Sequence, residues 1–143
     1  MRVSERCRRV LLVTVPEETL LTAAKRMRQY DVSALPVYRG RRLTGIVTER
    51  DIVSAIAEGA DPATGWVADY MTQRPTTADP EEDVQVAARR MAELGVRHLP
   101  VVDGGHLVGV LSMRDLLVPA GGPAAPVLTS RARGGTRPRS PRP

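Results

Sequence analysis

Apolar residues fall on two spacings along this chain. Leu20, Ala23, Ala24 and Met27 recur three and four apart, as do Val84, Ala87, Ala88 and Met91, and each set predicts an amphipathic helix. Pro16-Glu17-Glu18 and Pro80-Glu81-Glu82 precede them and are expected to open those helices, acids being favourable at the positive end. Two short apolar stretches follow in each half. Leu35-Pro36-Val37-Tyr38 and Leu43 to Val47 flank Arg39-Gly40-Arg41, which predicts a hairpin. Leu99 onward and Leu107 to Leu111 flank Asp103-Gly104-Gly105 in the same way. The proline in each first strand marks a strand start or an edge. Thr48 and Ser112 then begin a further helix. Val67 to Thr72 leads into the second half, after Gly59 to Pro62 closes the first. Each half therefore reads strand, helix, strand, strand, helix.

The two halves are copies. A shift of 64 lays residues 16–53 on 80–117 without a gap, and 16 of the 38 pairs are identical. That is far above chance and implies two like supersecondary units packed face to face. The fold class is α/β (α+β), with the sheets of the two units against each other about a pseudo-twofold axis. Unit one is expected over 3–60, unit two over 61–118, and a tail over 119–143.

Composition refines this reading. Hydrophobic residues make up 42% of 143, with no Phe, so the core is built from Val, Leu, Ile, Ala and Met. The few aromatics argue against a surface that stacks on single-stranded bases. The net charge of +5 belongs to the tail, where Arg131, Arg133, Arg137, Arg139 and Arg142 stand with no acid; the preceding residues hold 16 basic and 16 acidic groups. The tail is rich in Pro, Gly and Ser and is read as disordered, with a weak polyanion or nucleic-acid contact as the sharper alternative. Cys7 is the only cysteine, which excludes an intrachain disulfide and fits a reducing compartment. Val10 to Val13 is too short for a signal-peptide core, and no segment is long enough to span a bilayer, so a cytoplasmic protein without a membrane partner is expected. No pair among Cys7, His98 and His106 has zinc-like spacing. No nucleophile, base and acid form a catalytic motif, and a non-enzyme is expected.

One stretch asks a chemical question twice: Gly45-Ile46-Val47-Thr48-Glu49-Arg50-Asp51 and Gly109-Val110-Leu111-Ser112-Met113-Arg114-Asp115. A hydroxyl residue followed three positions later by an acid is a helix capping box. The same helix N-terminus, with free N–H groups, can hold a phosphate, and the carboxylate can accept ribose hydroxyls. Gly45 and Gly109 allow close backbone packing on the strand before it. Arg50 and Arg114 either clamp a phosphate or pair with a carboxylate. The pattern alone supports both readings.

With "VADYMT" at 67–72, "LPV" at 35–37 and 99–101, and "GIVTERD" and "GVLSMRD", the chain resembles a tandem pair of CBS domains, a Bateman module. The resemblance spans residues 3–118. It departs at 3–8, where Cys7 stands in the register of Met71. It implies a regulatory protein with no required cofactor, binding an adenine nucleotide, S-adenosylmethionine or NAD between the units. Thr48, Asp51, Ser112 and Asp115 would meet ribose and phosphate, and Leu35, Pro36, Leu99 and Pro100 the base. Arg97 and His98 precede one "LPV" where Ser33 and Ala34 precede the other, so the sites should differ. A phosphate-rich ligand should favour the cleft that Arg97 and His98 line. The resemblance also implies a homodimer, a disc of four units, with apolar helix surface from Leu20, Leu21, Met27, Val84, Val86 and Met91. The alternative is an interaction module with empty clefts and an unknown protein partner.

Overall fold

The first helix of each half begins later than its acids imply. In the computed structural model, which describes residues 1–9 and 12–117, α1 spans Leu20–Tyr30 and takes its cap from Thr19, whose side chain accepts from the Thr22 N–H. Asp83 accepts from the Gln85 N–H in front of the matching helix, Val84–Leu94. Pro16 to Glu18 form a turn instead. Glu18 pairs with Arg26 at 2.9 Å and Glu82 with Arg90 at 2.7 Å, each about two turns into the helix. Both arginines also donate to a carbonyl of the preceding segment, Val13 and Thr77. The repeated Glu and Arg thus tie each incoming segment to its helix. Expectations for Val10, Leu11 and the tail at 119–143 fall outside the described residues.

Both expected hairpins form. Strand β1, Ala34–Arg39, pairs antiparallel with β2, Arg42–Thr48, matching Leu35 to Val47. After the short helix α3, Val67–Tyr70, a two-residue strand β3, Thr72–Gln73, adds to the far side of β2. The second half repeats the hairpin with β4, His98–Asp103, and β5, His106–Ser112, matching Leu99 to Leu111. The turns rest on Gly40 and Gly104 at φ 61° and 54°, where a side chain would be strained. Helix α2, Glu49–Ala57, follows β2 directly, and α4 is the Val84–Leu94 helix. The match ends after β5. Met113–Leu117 is a 3-10 helix, not the start of an α-helix. The Ser112 hydroxyl accepts from Arg114, one residue short of the Thr48 geometry, and Pro119 has no N–H for the Asp115 carbonyl.

The lead-in segments are exchanged between units. Thr72 bridges Ile46 in unit one, and its repeat partner Arg8 bridges Val110 in unit two. Thr14 then lies parallel to Val37 in unit one, as Ala78 lies parallel to Val101 in unit two. Both connections therefore cross between the units. Gly45 and Gly109 make the approach possible. A Cβ on Gly45 would lie 2.7 Å from the Thr72 carbonyl oxygen, and one on Gly109 would collide with the Arg8 carbonyl.

The cores reflect this exchange. One gathers Leu20, Ala23, Met27, Leu35, Val37 and Val47 with Val67, and the other Val84, Ala87, Met91, Leu99, Val101 and Leu111 with Val3 and Cys7. Cys7 fills the place of Met71, and burial raises its thiol pKa. Of the six residues expected to leave apolar helix surface, Leu20, Met27, Val84 and Met91 are spent inside these cores. Leu21 and Val86 stay exposed, at 37% and 46%.

Candidate functional site

Each repeated motif borders a cleft built from both units. The larger cleft, about 530 Å³, opens at the N-terminus of α2. There Thr48 and Asp51 form the full capping box. The Asp51 N–H donates to the Thr48 hydroxyl at 3.3 Å, and the Asp51 carboxylate accepts from the Thr48 N–H at 2.8 Å and hydroxyl at 3.0 Å. The cap reading is therefore correct for Thr48. The same groups face the cleft, with Arg50 beside them. The opposite wall comes from unit two, through Arg97, His98 and Leu99. Arg74, on the crossing segment, completes it. Sequence reasoning passed over Arg74. Its one signal is structural: it holds φ at 47°, rare for a residue with a side chain, while its N–H donates to the Thr44 carbonyl.

Arg97 thus shares a cleft with Thr48 and Asp51 of the other unit as well as with Ser112, whereas Asp115 borders the smaller cleft alone. The start of each "LPV" strand pairs with the helix start of its own unit, Ala34 with Thr48 and His98 with Ser112, and the Ser33–His98 contact brings the two starts together. Arg97 and His98 both border the larger cleft. His98 also borders the smaller cleft. Arg50 reaches across and donates to the Gly95 carbonyl at 3.4 Å. Among the described residues, none of Arg74, Arg97 and Arg114, which all border the larger cleft, takes part in an ion pair. Such a wall attracts anions.

The smaller cleft, about 170 Å³, is bordered by Ser112, Arg114 and Asp115 with Ser33, Ala34 and Arg8. Here the Asp115 carboxylate accepts from the Ser112 N–H at 2.8 Å. Burial raises the Asp115 pKa, against lowering influences from that N–H and from Arg8 and Arg114. Leu35, Pro36 and Pro100 are buried in their strands and border neither cleft, so of the four residues expected at a base only Leu99 does. The consecutive apolar positions of these strands serve the core.

His98 stands at the seam. Its Nε2 lies 2.7 Å from the Ser33 hydroxyl, a direct hydrogen bond between the units. Burial, then the charges of Arg97 and Arg114, lower its pKa to about 4. The ring is neutral at pH 7, so it supplies a hydrogen bond to the cleft and no charge.

This architecture, two repeats with exchanged lead-in strands and a paired cleft, defines a tandem CBS pair. The CBS domain family matches residues 3–58 and 67–118, and the chain belongs to it. It is 36% identical over 104 residues to the CBS domain-containing protein YhcV of Bacillus subtilis, covering 72% of this chain and 74% of that one. It spans 60% of an uncharacterized Methanopyrus kandleri protein, at 32% identity over 80% of this chain, and 22% of an inosine-5'-monophosphate dehydrogenase of Korarchaeum cryptofilum, at 37% identity over 76% of this chain. Among solved structures, a putative signal-transduction protein with CBS domains from Burkholderia ambifaria superposes with a TM-score of 0.73 at 31% identity, covering 76% of this chain and 81% of that one. The CBS pair of protein MJ0100, solved with 5-methylthioadenosine and S-adenosyl-L-methionine, superposes with a TM-score of 0.73 at 25% identity, covering 82% and 93%. Among the described residues no helix is long and apolar enough to cross a membrane.

Proposed function

We propose that this chain is a non-enzymatic regulatory sensor that binds an adenosyl ligand in the larger cleft. The observation that carries the reading is that cleft itself: about 530 Å³, at a capped helix N-terminus, with three arginines outside any ion pair among the described residues. Its volume suits a nucleoside with phosphates. Asp51 takes the ribose hydroxyls, while Thr48, Arg74 and Arg97 take anionic groups. The complexes of MJ0100 support the adenosyl class. Binding shifts the population of arrangements between units already linked by Ser33 and His98. Calorimetry with AMP, ADP, ATP, NAD and S-adenosylmethionine tests the reading. At least one should bind the wild type and bind Asp51→Ala at least tenfold more weakly. No binding by any of them refutes it.

The working unit is a homodimer joined through helix surface, where Leu21 and Val86 remain exposed. Light scattering during size exclusion should read about twice the 15.5 kDa of one chain, and a monomer at micromolar concentration contradicts this.

A further inference from the structure

The smaller cleft already holds a side chain of this protein. In the repeat register Arg8 stands where unit one receives Thr72, and each borders its cleft from the same side. Helix α4 ends on Gly95, whose carbonyl takes the Arg50 guanidinium from the opposite unit. Helix α1 ends on Asp31, and the register assigns that carbonyl to Arg114. Arg8 takes it instead, its Nη1 donating at 2.9 Å. A guanidinium on a helix C-terminal carbonyl is favoured by the helix dipole as well as by the bond. Arg114 borders both clefts instead. The backbone of Arg8 is fixed independently, because its N–H and C=O both bond to Val110, at 3.0 and 2.9 Å. The side chain therefore springs from a strand seated in the sheet. The space left, about 170 Å³, is below the roughly 300 Å³ from which small-molecule pockets usually begin.

We infer that Arg8 is the built-in occupant of the second cleft, leaving this chain a single ligand site where the repeat lays out two. The inference rests on the proposed function for its ligand and on the Arg8 contacts for its occupant. Arg8 decides stoichiometry: its side chain borders the space on the Ser112 and Asp115 side, held there on the Asp31 carbonyl, and brings a positive charge to the cleft of a carboxylate that a ribose would need.

The test uses the full chain and the variant Arg8→Thr, which installs the residue of position 72 and spares the backbone bonds to Val110. Calorimetry with ATP and with S-adenosylmethionine should give one equivalent for the wild type and two for the variant. Two equivalents in the wild type, or one in the variant, overturns the inference. A ligand-free readout runs beside it: NMR of the Arg8 guanidinium should show separate, slowly exchanging Nη protons. Rapidly averaged protons overturn the inference whatever binds. A held guanidinium with no nucleotide bound to either chain leaves Arg8 as the occupant and overturns the adenosyl reading instead.

Discussion

Thr48 allows its two roles to be separated by substitution. Its hydroxyl accepts the Asp51 N–H at the start of α2 and borders the larger cleft. Thr48→Ala removes both functions. Loss of an N-cap hydroxyl costs about 1 kcal/mol, which lowers Tm by about 4 °C in a domain of this size. Thr48→Ser keeps both. Thr48→Asp keeps a cap acceptor but adds a carboxylate beside Asp51. The like-charge pair costs about 0.3 kcal/mol on a solvated helix face, so stability stays near that of the wild type. In the cleft the same charge opposes a phosphate. The assays are thermal unfolding and calorimetric titration with whichever adenosyl ligand binds. Thr48→Ala should lose both stability and affinity, Thr48→Ser neither, and Thr48→Asp at least tenfold in affinity for an anionic ligand. If Thr48→Ala melts with the wild type, the cap contributes nothing. If Thr48→Asp binds a phosphate ligand as tightly as the wild type, the hydroxyl does not face it.

Other consequences follow from burial and from the crossed connections. Met91 is fully buried in the second core, and Met91→Ala should cost about 3 kcal/mol in urea unfolding; a loss below about 1 would contradict its place there. His98 has a folded pKa of about 4 against 6.5 unfolded, so the unfolded chain gains protons first on acidification. Its contribution is present above pH 6.5 and is lost as pH falls from there through 4, at most about 3 kcal/mol. His98→Gln should flatten the pH dependence in that window, and parallel curves for the two chains would argue otherwise. Deleting residues 1–8 removes Val3 and Cys7 from the second core and the carbonyl that takes the Val110 N–H. Hydrogen exchange should then quicken at Val110 and β5 before β2, and the reverse order would refute the exchange of lead-in segments.

Much of this arrangement was legible in local pattern. Helical spacing located Leu20, Ala23 and Met27, and the buried faces of α1 and α4 are those residues and their copies. The turn glycines located the hairpins. The hydroxyl and acid at 48 and 51 announced a cap, because a capping box closes within four residues. The helix starts were missed at Pro16 and Pro80 because Glu18 and Glu82 are drawn to Arg26 and Arg90, a pairing that exists only once the helix is formed. Arg8 and Arg74 were missed because a lone arginine in a connection carries no periodic signal.

The chain alone determined that there are two like units, which helix faces turn inward, where the hairpin turns lie and where the Thr48 cap falls. Those follow from contacts between residues near in sequence, and from a 64-residue repeat that any reader of the chain can see. Only the tertiary structure decided which half-sites share a cleft. It set Arg97 against Thr48, laid Arg8 across the partner of that site, and joined Ser33 to His98. The reason is that the two copies meet at a seam, through Ser33 with His98 and Arg50 with Gly95, so each site is completed by residues from the other unit. No periodicity within either unit can report that.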